Sequence, residues 1–271
     1  MRSEENSVLA KLNGETALYP IIGDPIAFVK SPQRLTAEFA ARGHNGICVP
    51  MQVPNGELES VTRGLGAVAN VRGLLITMPH KNTMFASCTT FSQTAKLLGV
   101  VSVARRNADG SWHGDMLDGV AFVAAQRRNG AQLEGARVLQ VGAGGAGSAI
   151  AIALLDAGVR ELVLHDTNQS RLNDLVRLLS GLGGGRVVAG APDPTGCEMV
   201  VNATPMGMAP DDPLPVSAHL LNSSMFVGDV VAGHGMTPFL QAAQAAGCRT
   251  ADGVQMVEAG MEIMPDFFLG K

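Results

Sequence analysis

The run Val141-Gly142-Ala143-Gly144-Gly145-Ala146-Gly147 is a glycine-rich turn of the G-x-G-x-x-G type. Gly142 admits a tight strand-to-helix turn, Gly144 lets the backbone approach a pyrophosphate, and Gly147 lets the following helix pack close to a sheet. The first N–H groups of such a helix have no partner within it and mark the positive end of its dipole, so they favour phosphate. Ala143, Gly145 and Ala146 complete the segment that would face that anion. Asp166 follows roughly 20 residues on, where a carboxylate can accept from a ribose 2′-hydroxyl and repel a 2′-phosphate. The spacing therefore predicts NAD rather than NADP as cofactor. A plainer reading exists, in which the glycines only make a close turn and Asp166 only caps the next helix.

The flanking elements decide between the two. Arg137–Val141 (RVLQV) reads as a strand, residues 148–158 as an alanine-rich helix closed by Gly158, and Glu161–His165 (ELVLH) as a strand running into Asp166. Strand, glycines, helix, strand and acid fall in the order that dinucleotide binding requires. Helix at 118–129 and 168–182, with strands at 185–190, 199–203 and 225–231, continues the alternation and predicts a doubly wound, mostly parallel sheet. Upstream, strands at 17–23, 47–53 and 73–78 alternate with helices at 32–43 and 56–69. A helix at 90–99, a strand at 100–106, an Asp109-Gly110 turn and a returning strand at 112–116 follow. The expected fold class is α/β, with two open α/β domains, the later one a Rossmann-type NAD-binding sheet. The tail should be helical at 237–247 and 253–268.

Composition narrows the function classes. A formal charge of −4 with no cluster of basic residues gives no nucleic-acid face. No stretch approaches the roughly 18 apolar residues of a membrane helix, and the start MRSEENSV does not read as a secretory signal. Cys48, Cys88, Cys197 and Cys248 form no C-x-x-C pair and have no histidine at zinc spacing, so no metal is expected and four buried free thiols are. These features predict a cytoplasmic protein that is a monomer or homodimer and acts on a small molecule.

Several motifs, taken in order, resemble the shikimate/quinate dehydrogenase family. They are Gly23-Asp24-Pro25-Ile26 with Lys30-Ser31-Pro32, Thr77-Met78-Pro79-His80-Lys81, and Gly114-Asp115 with Asp118-Gly119. Further on come Asn202-Ala203-Thr204-Pro205-Met206-Gly207-Met208, Thr237-Pro238, and Asp252-Gly253 with Met256. The resemblance implies a substrate-binding catalytic domain from residues 1–117 plus 240–271, and a Rossmann-type NAD domain at 118–239. It implies reversible hydride transfer between a ring secondary alcohol, or the corresponding ketone, and the nicotinamide, with Lys81 and Asp118 as the acid–base pair. Ser31, Thr77 and Ser102 would meet substrate, and Ala203, Thr204, Met206, Val230, Gly253 and Met256 would meet cofactor. The chemistry is consistent with those residue types. Oxidising an alcohol needs a group to take its proton as hydride leaves. In a closed cleft, burial favours a neutral amine while a neighbouring carboxylate favours the ammonium.

Departures from the family pattern concern recognition. Val29 stands where a serine is usual, Leu75 and Ser102 where asparagines are, Met116-Leu117 where Asn-Thr is, Ala232 where tyrosine is, and Gly260 where glutamine is. Gln255 lies roughly 140° around a helix from Gly260 and cannot simply replace that amide. The pocket is expected to have lost hydrogen-bonding groups and gained apolar surface, so the substrate need not be shikimate. Quinate or aminoshikimate-type chemistry, and an NAD-binding sensor without turnover, are the alternatives. His80 is expected as a solvent-facing loop residue, His165 at the adenosine edge and His234 near the cleft. Arg171 is expected as a solvated helix residue.

Overall fold

The computed structural model describes residues 12–27, 29–209, 211–233 and 235–271, so His234 lies outside the described residues. The chain divides into two units, 1–117 with 261–271, and 118–260.

The first unit contains β1 (Ala17–Gly23), α1 (Ser31–Ala41), β2 (Gly46–Gln52), α2 (Leu58–Ala67), β3 (Gly73–Ile76), α3 (Lys81–Ala86), β4 (Thr90–Phe91), α4 (Gln93–Leu98), β5 (Val103–Arg106) and β6 (Trp112–Asp115). Its sheet has the order β2-β1-β3-β5-β6-β4, with β1 parallel to β2 and β3 and an antiparallel run from β3 through β6. Helix α1 starts where Pro32 supplies a preset φ at a position whose N–H is not needed, and it buries Leu35 and Phe39 one turn apart. The helix expected over 90–99 is shorter. Thr90 and Phe91 pair with His113 and Gly114, and the Ser92 hydroxyl then caps α4 by accepting from Ala95 N at 3.1 Å. Helix α3 was not foreseen as an element of its own.

The second unit contains α5 (Asp118–Arg128), β7 (Arg137–Val141), α6 (Gly145–Asp156), β8 (Glu161–His165), α7 (Gln169–Ser180), β9 (Arg186–Ala189), β10 (Met199–Asn202), β11 (Phe226–Asp229), α8 (Pro238–Ala245), β12 (Arg249–Ala251) and the first part of α9 (Gly253–Leu269). All six strands are parallel, in the order β12-β11-β10-β7-β8-β9. The order reverses between β7 and β10, which is where open α/β sheets bind their ligands, outside the strand C-termini. Val141 and Asn202 are register partners there, so the loops that follow them start side by side.

The return to the first unit was expected at residue 240 and comes at 261. The reason is β12, which hydrogen-bonds to β11 and keeps α8 with the second sheet. The tail then closes over the first unit. Phe268 lies against Tyr19 with ring centroids 5.0 Å apart, and Arg42 donates to the Glu262 carbonyl at 2.6 Å. A Cβ on Gly73 would come within 2.4 Å of the Phe268 ring, so glycine is what lets that ring lie on β3.

Candidate active site

The dinucleotide half is built on the β7–α6 turn. Gly142 has φ 108°, a left-handed conformation suited to glycine, and a Cβ there would sit 2.5 Å from the Ala203 carbonyl. Gly147 is against the turn itself, since its Cβ would fall 2.3 Å from Gly142 O. Helix α6 begins at Gly145, three residues earlier than expected, so the glycines form its first turn. Gly144 is its N-cap and offers no side-chain cap to the helix N–H groups. Nothing lies within 4 Å of a Cβ built on Gly144 or Gly145. Open space in front of uncapped N–H groups fits a pyrophosphate.

Asp166 follows β8 directly, with its side chain 4% exposed. Its Oδ2 accepts from Ala143 N at 2.7 Å and its Oδ1 from Asn168 N at 2.7 Å. Arg171 is not simply solvated, as expected from sequence, but adds two bonds, Nη2 to Oδ1 at 2.8 Å and Nε to Oδ2 at 3.2 Å. Burial pushes this carboxyl up, and the Arg171 guanidinium with the two backbone N–H groups outweighs that and holds it below the usual carboxylate value. His165 Nδ1 donates to the Gly190 carbonyl at 3.0 Å.

The neighbouring loops are fixed by a buried polar network that the sequence reading did not single out. Asn202 Nδ2 donates to Asp229 Oδ1 at 2.9 Å and to Met206 O at 3.0 Å, while its Oδ1 accepts from Thr204 N and Oγ1. Thr237 Oγ1 donates to Asp229 Oδ2 at 2.7 Å. Ala203, Thr204 and Met206 thus ride on Asn202, which the N-A-T-P string had marked only as part of a motif. Gly253 has no room for a Cβ, which would lie 2.4 Å from Val230 O, so Val230 and the start of α9 touch. Met256 is half-buried one turn along. Gln255 is spent locally: it exchanges bonds with Asp252 in a capping box, and its Nε2 donates to Asn129 Oδ1 at 2.8 Å.

Asp118 opens α5 and is half-buried. The glycine beside it is required by packing, because a Cβ on Gly119 would be 2.1 Å from Ala149 O. Helix α5 therefore lies directly on α6, and Asp118 is carried at the start of α5.

In the first unit the first-loop motif and the lysine motif come together. Thr77 N donates to Ile22 O at 2.9 Å, Asp24 N donates to Met78 O at 3.0 Å, and Gly23 is pressed on the Thr77 methyl. Ser31 starts α1 and is half-buried, and Lys81 starts α3. His80 does not face solvent. It is fully buried, with Nε2 2.7 Å from the Val53 carbonyl. The loop-like string M-P-H-K did not reveal that burial.

The two-residue segment Val101-Ser102 joins the motif segments. Val101 N donates to Lys81 O at 3.0 Å, Ile76 N donates to Ser102 O at 2.8 Å, and Leu117 N donates to Ser102 Oγ at 2.9 Å. Ser102 is 4% exposed, and its hydroxyl holds the residue before Asp118. The departures at Leu75, Met116 and Leu117 are buried in the first unit's core and add no exposed apolar surface, contrary to the expectation above. Of the cysteines, Cys88 is half-buried rather than buried, and burial pushes both its thiol and that of Cys48 up to about 12. Among the described residues no helix is long and apolar enough to cross a membrane.

A parallel sheet of Rossmann order, a glycine turn at its switch point and a second α/β unit bearing the lysine motif define a two-domain dinucleotide-binding oxidoreductase. Residues 21–103 match the family model described as the shikimate dehydrogenase substrate binding domain. A shikimate dehydrogenase (NADP(+)) of Rubrobacter xylanophilus is 38% identical over 253 residues, 91% of this chain and 88% of that one. The ligand-free 5-ketofructose reductase of Gluconobacter sp. strain CHM43 superposes with a TM-score of 0.87 at 26% identity, covering 96% of this chain and 95% of that one. Shikimate 5-dehydrogenase from Listeria monocytogenes, in complex with shikimate and NAD, gives 0.86 at 26% identity, covering 96% and 94%. The chain belongs to the shikimate dehydrogenase family.

Proposed function

We propose that this chain is a NAD-dependent dehydrogenase that interconverts a ring secondary alcohol and its ketone, with Lys81 and Asp118 as the acid–base pair. What supports the pair is the Val101-Ser102 segment, one residue of which binds the Lys81 carbonyl and the other the N–H before Asp118. The bound nicotinamide supplies the hydride acceptor or donor. The Lys81 amine takes the hydroxyl proton as the carbonyl forms and returns it to the growing alkoxide in the reverse direction. The Asp118 carboxylate orients that amine and balances its charge in the ammonium form. Gly142–Gly147 and the α6 N-terminus hold the pyrophosphate, and the loops carrying Ala203, Thr204, Met206 and Val230 border the nicotinamide. Ser31 and Thr77 orient the substrate from the first unit.

NAD is favoured by the Asp166 carboxylate at the end of β8, held in its ionised form. The curated relatives are named for NADP(+), and solved relatives hold NAD or NADP, so the choice of NAD rests on this chain's own Asp166. The substrate reading rests on lost hydrogen bonds. Ala232 and Gly260 offer no polar side chain, Gln255 is engaged elsewhere and the Ser102 hydroxyl already serves Leu117. A site that pairs hydroxyls loses about 1–3 kcal/mol for each partner left unmade. We therefore assign a substrate other than shikimate, one that is less polar or differently substituted. Solved relatives named for 5-ketofructose and for shikimate indicate that this architecture accepts more than one substrate. Steady-state assays with shikimate, quinate and a panel of alicyclic alcohols test the assignment. Shikimate turnover with a micromolar KM overturns it.

A further inference from the structure

We infer that Gln140 is a positioning residue for the dinucleotide loop, clamping from beneath the peptide that Asp166 clamps from the side. The inference rests on the reading of that loop as a dinucleotide site. Gln140 lies in β7, a strand with neighbours on both edges, and is fully buried between Leu139 and Val141. An amide in such a place is costly unless it is hydrogen-bonded.

Its Nε2 makes two bonds of 2.8 Å each, one to Gly142 O and one to Gly147 O. Those carbonyls converge because Gly147 has no Cβ to hold them apart. Two carbonyl oxygens facing the same point repel, and the NH2 group placed there satisfies both. Oε1 is buried without a partner, so the polar service of this side chain is confined to the turn.

The Gly142–Ala143 peptide is thereby held at both ends. Its oxygen accepts from Gln140 and its N–H donates to Asp166 Oδ2 at 2.7 Å. A peptide unit is planar, so fixing its oxygen and its N–H fixes the whole plane. Gly142 is the residue that could most readily let the plane flip. A flipped plane would turn a carbonyl oxygen outward, toward the phosphates, in place of the inward one. Gln140 opposes that flip, which explains an amide in the buried part of β7.

The test uses Gln140→Met, which keeps the length of the side chain and removes both donors. Dissociation constants for NADH and NADPH should each rise about tenfold, and kcat at saturating dinucleotide should stay within about twofold. Without ligand, amide hydrogen exchange should quicken at residues 143–148 and stay unchanged in β8 and β11. Unchanged loop exchange and affinity overturn the inference, as does quickening spread evenly over the unit. Should the variant not fold, the wild-type protein still decides: the Ala143 amide must exchange as slowly as the β7 core, and exchange at the rate of an exposed loop overturns the clamp. Failure of wild type to bind NADH or NADPH overturns the dinucleotide reading, and with it the cofactor role given to Gln140. Slow Ala143 exchange in that case still distinguishes a standing clamp from a failed one.

Discussion

Asp166 and Arg171 form a two-point ion pair at the end of β8, with Nη2 on one carboxylate oxygen and Nε on the other. In the proposed dinucleotide site, the pair is the charge that an adenosine ribose would meet. Because the arginine is half exposed, it partly neutralises the carboxylate and offers its remaining N–H groups to solvent. The wild-type protein should bind NADH at least about tenfold tighter than NADPH. Asp166→Asn should narrow the gap by releasing Arg171 toward a 2′-phosphate, and Arg171→Ala should widen it. Titration by nicotinamide fluorescence reads all three, and equal wild-type affinities contradict the cofactor assignment.

Gly147→Ala places a methyl 2.3 Å from the Gly142 carbonyl, a contact that only movement of the backbone can relieve. Urea denaturation should show a loss of about 1–3 kcal/mol. Binding of NADH should be lost more completely than stability, since the displaced carbonyl belongs to the turn itself.

Ser102→Ala leaves the buried Leu117 N–H without an acceptor. A stability loss of about 1–3 kcal/mol is expected, with a lower kcat because the chain leading into Asp118 is no longer held. Affinity for NADH should not change. An unchanged kcat in a stable variant would show that the hydroxyl does not hold the residue before the acid.

Asp229 provides a pH test. Burial pushes its carboxyl up, against the opposing bonds from Val231 N, Thr237 and Asn202. A carboxyl raised in the folded state binds its proton more tightly there than in the unfolded chain. Its contribution to stability is therefore full below the unfolded value of 3.8 and is lost as pH rises through the higher folded value. Asp229→Asn should flatten the stability profile from about pH 4 toward neutrality. A profile as steep as wild type, measured by thermal unfolding across that range, places the titration elsewhere.

The second unit was the more legible in sequence. Arg137–Val141 and Glu161–His165 are strands over the residues expected, because β-branched and leucine-rich runs bounded by glycines and an acid leave few alternatives. Strand β12 was missed since R-T-A has only three residues, and its pairing with β11 is a long-range fact. The polar supports of the site were hidden for a related reason. Gln140 sits in a strand string, His80 in a loop string and Asn202 in a motif string. Nothing local tells that their partners are Gly147, Val53 and Asp229. Leu75 and Met116 show the opposite error, since a family position read as pocket lining is core in this chain.

The proposed function turns on proton transfer by Lys81 during hydride transfer to or from a nicotinamide. Turnover of the alcohol and ketone panel by wild type and Lys81→Ala, with NADH affinity measured on the same samples, tests it most directly. Wild type should turn over at least one ring alcohol or ketone, kcat should fall about 10²–10⁴-fold in the variant, and the dissociation constant for NADH should be unchanged. Turnover that survives the loss of Lys81, or a wild-type protein that binds NADH and turns over no member of the panel, contradicts it.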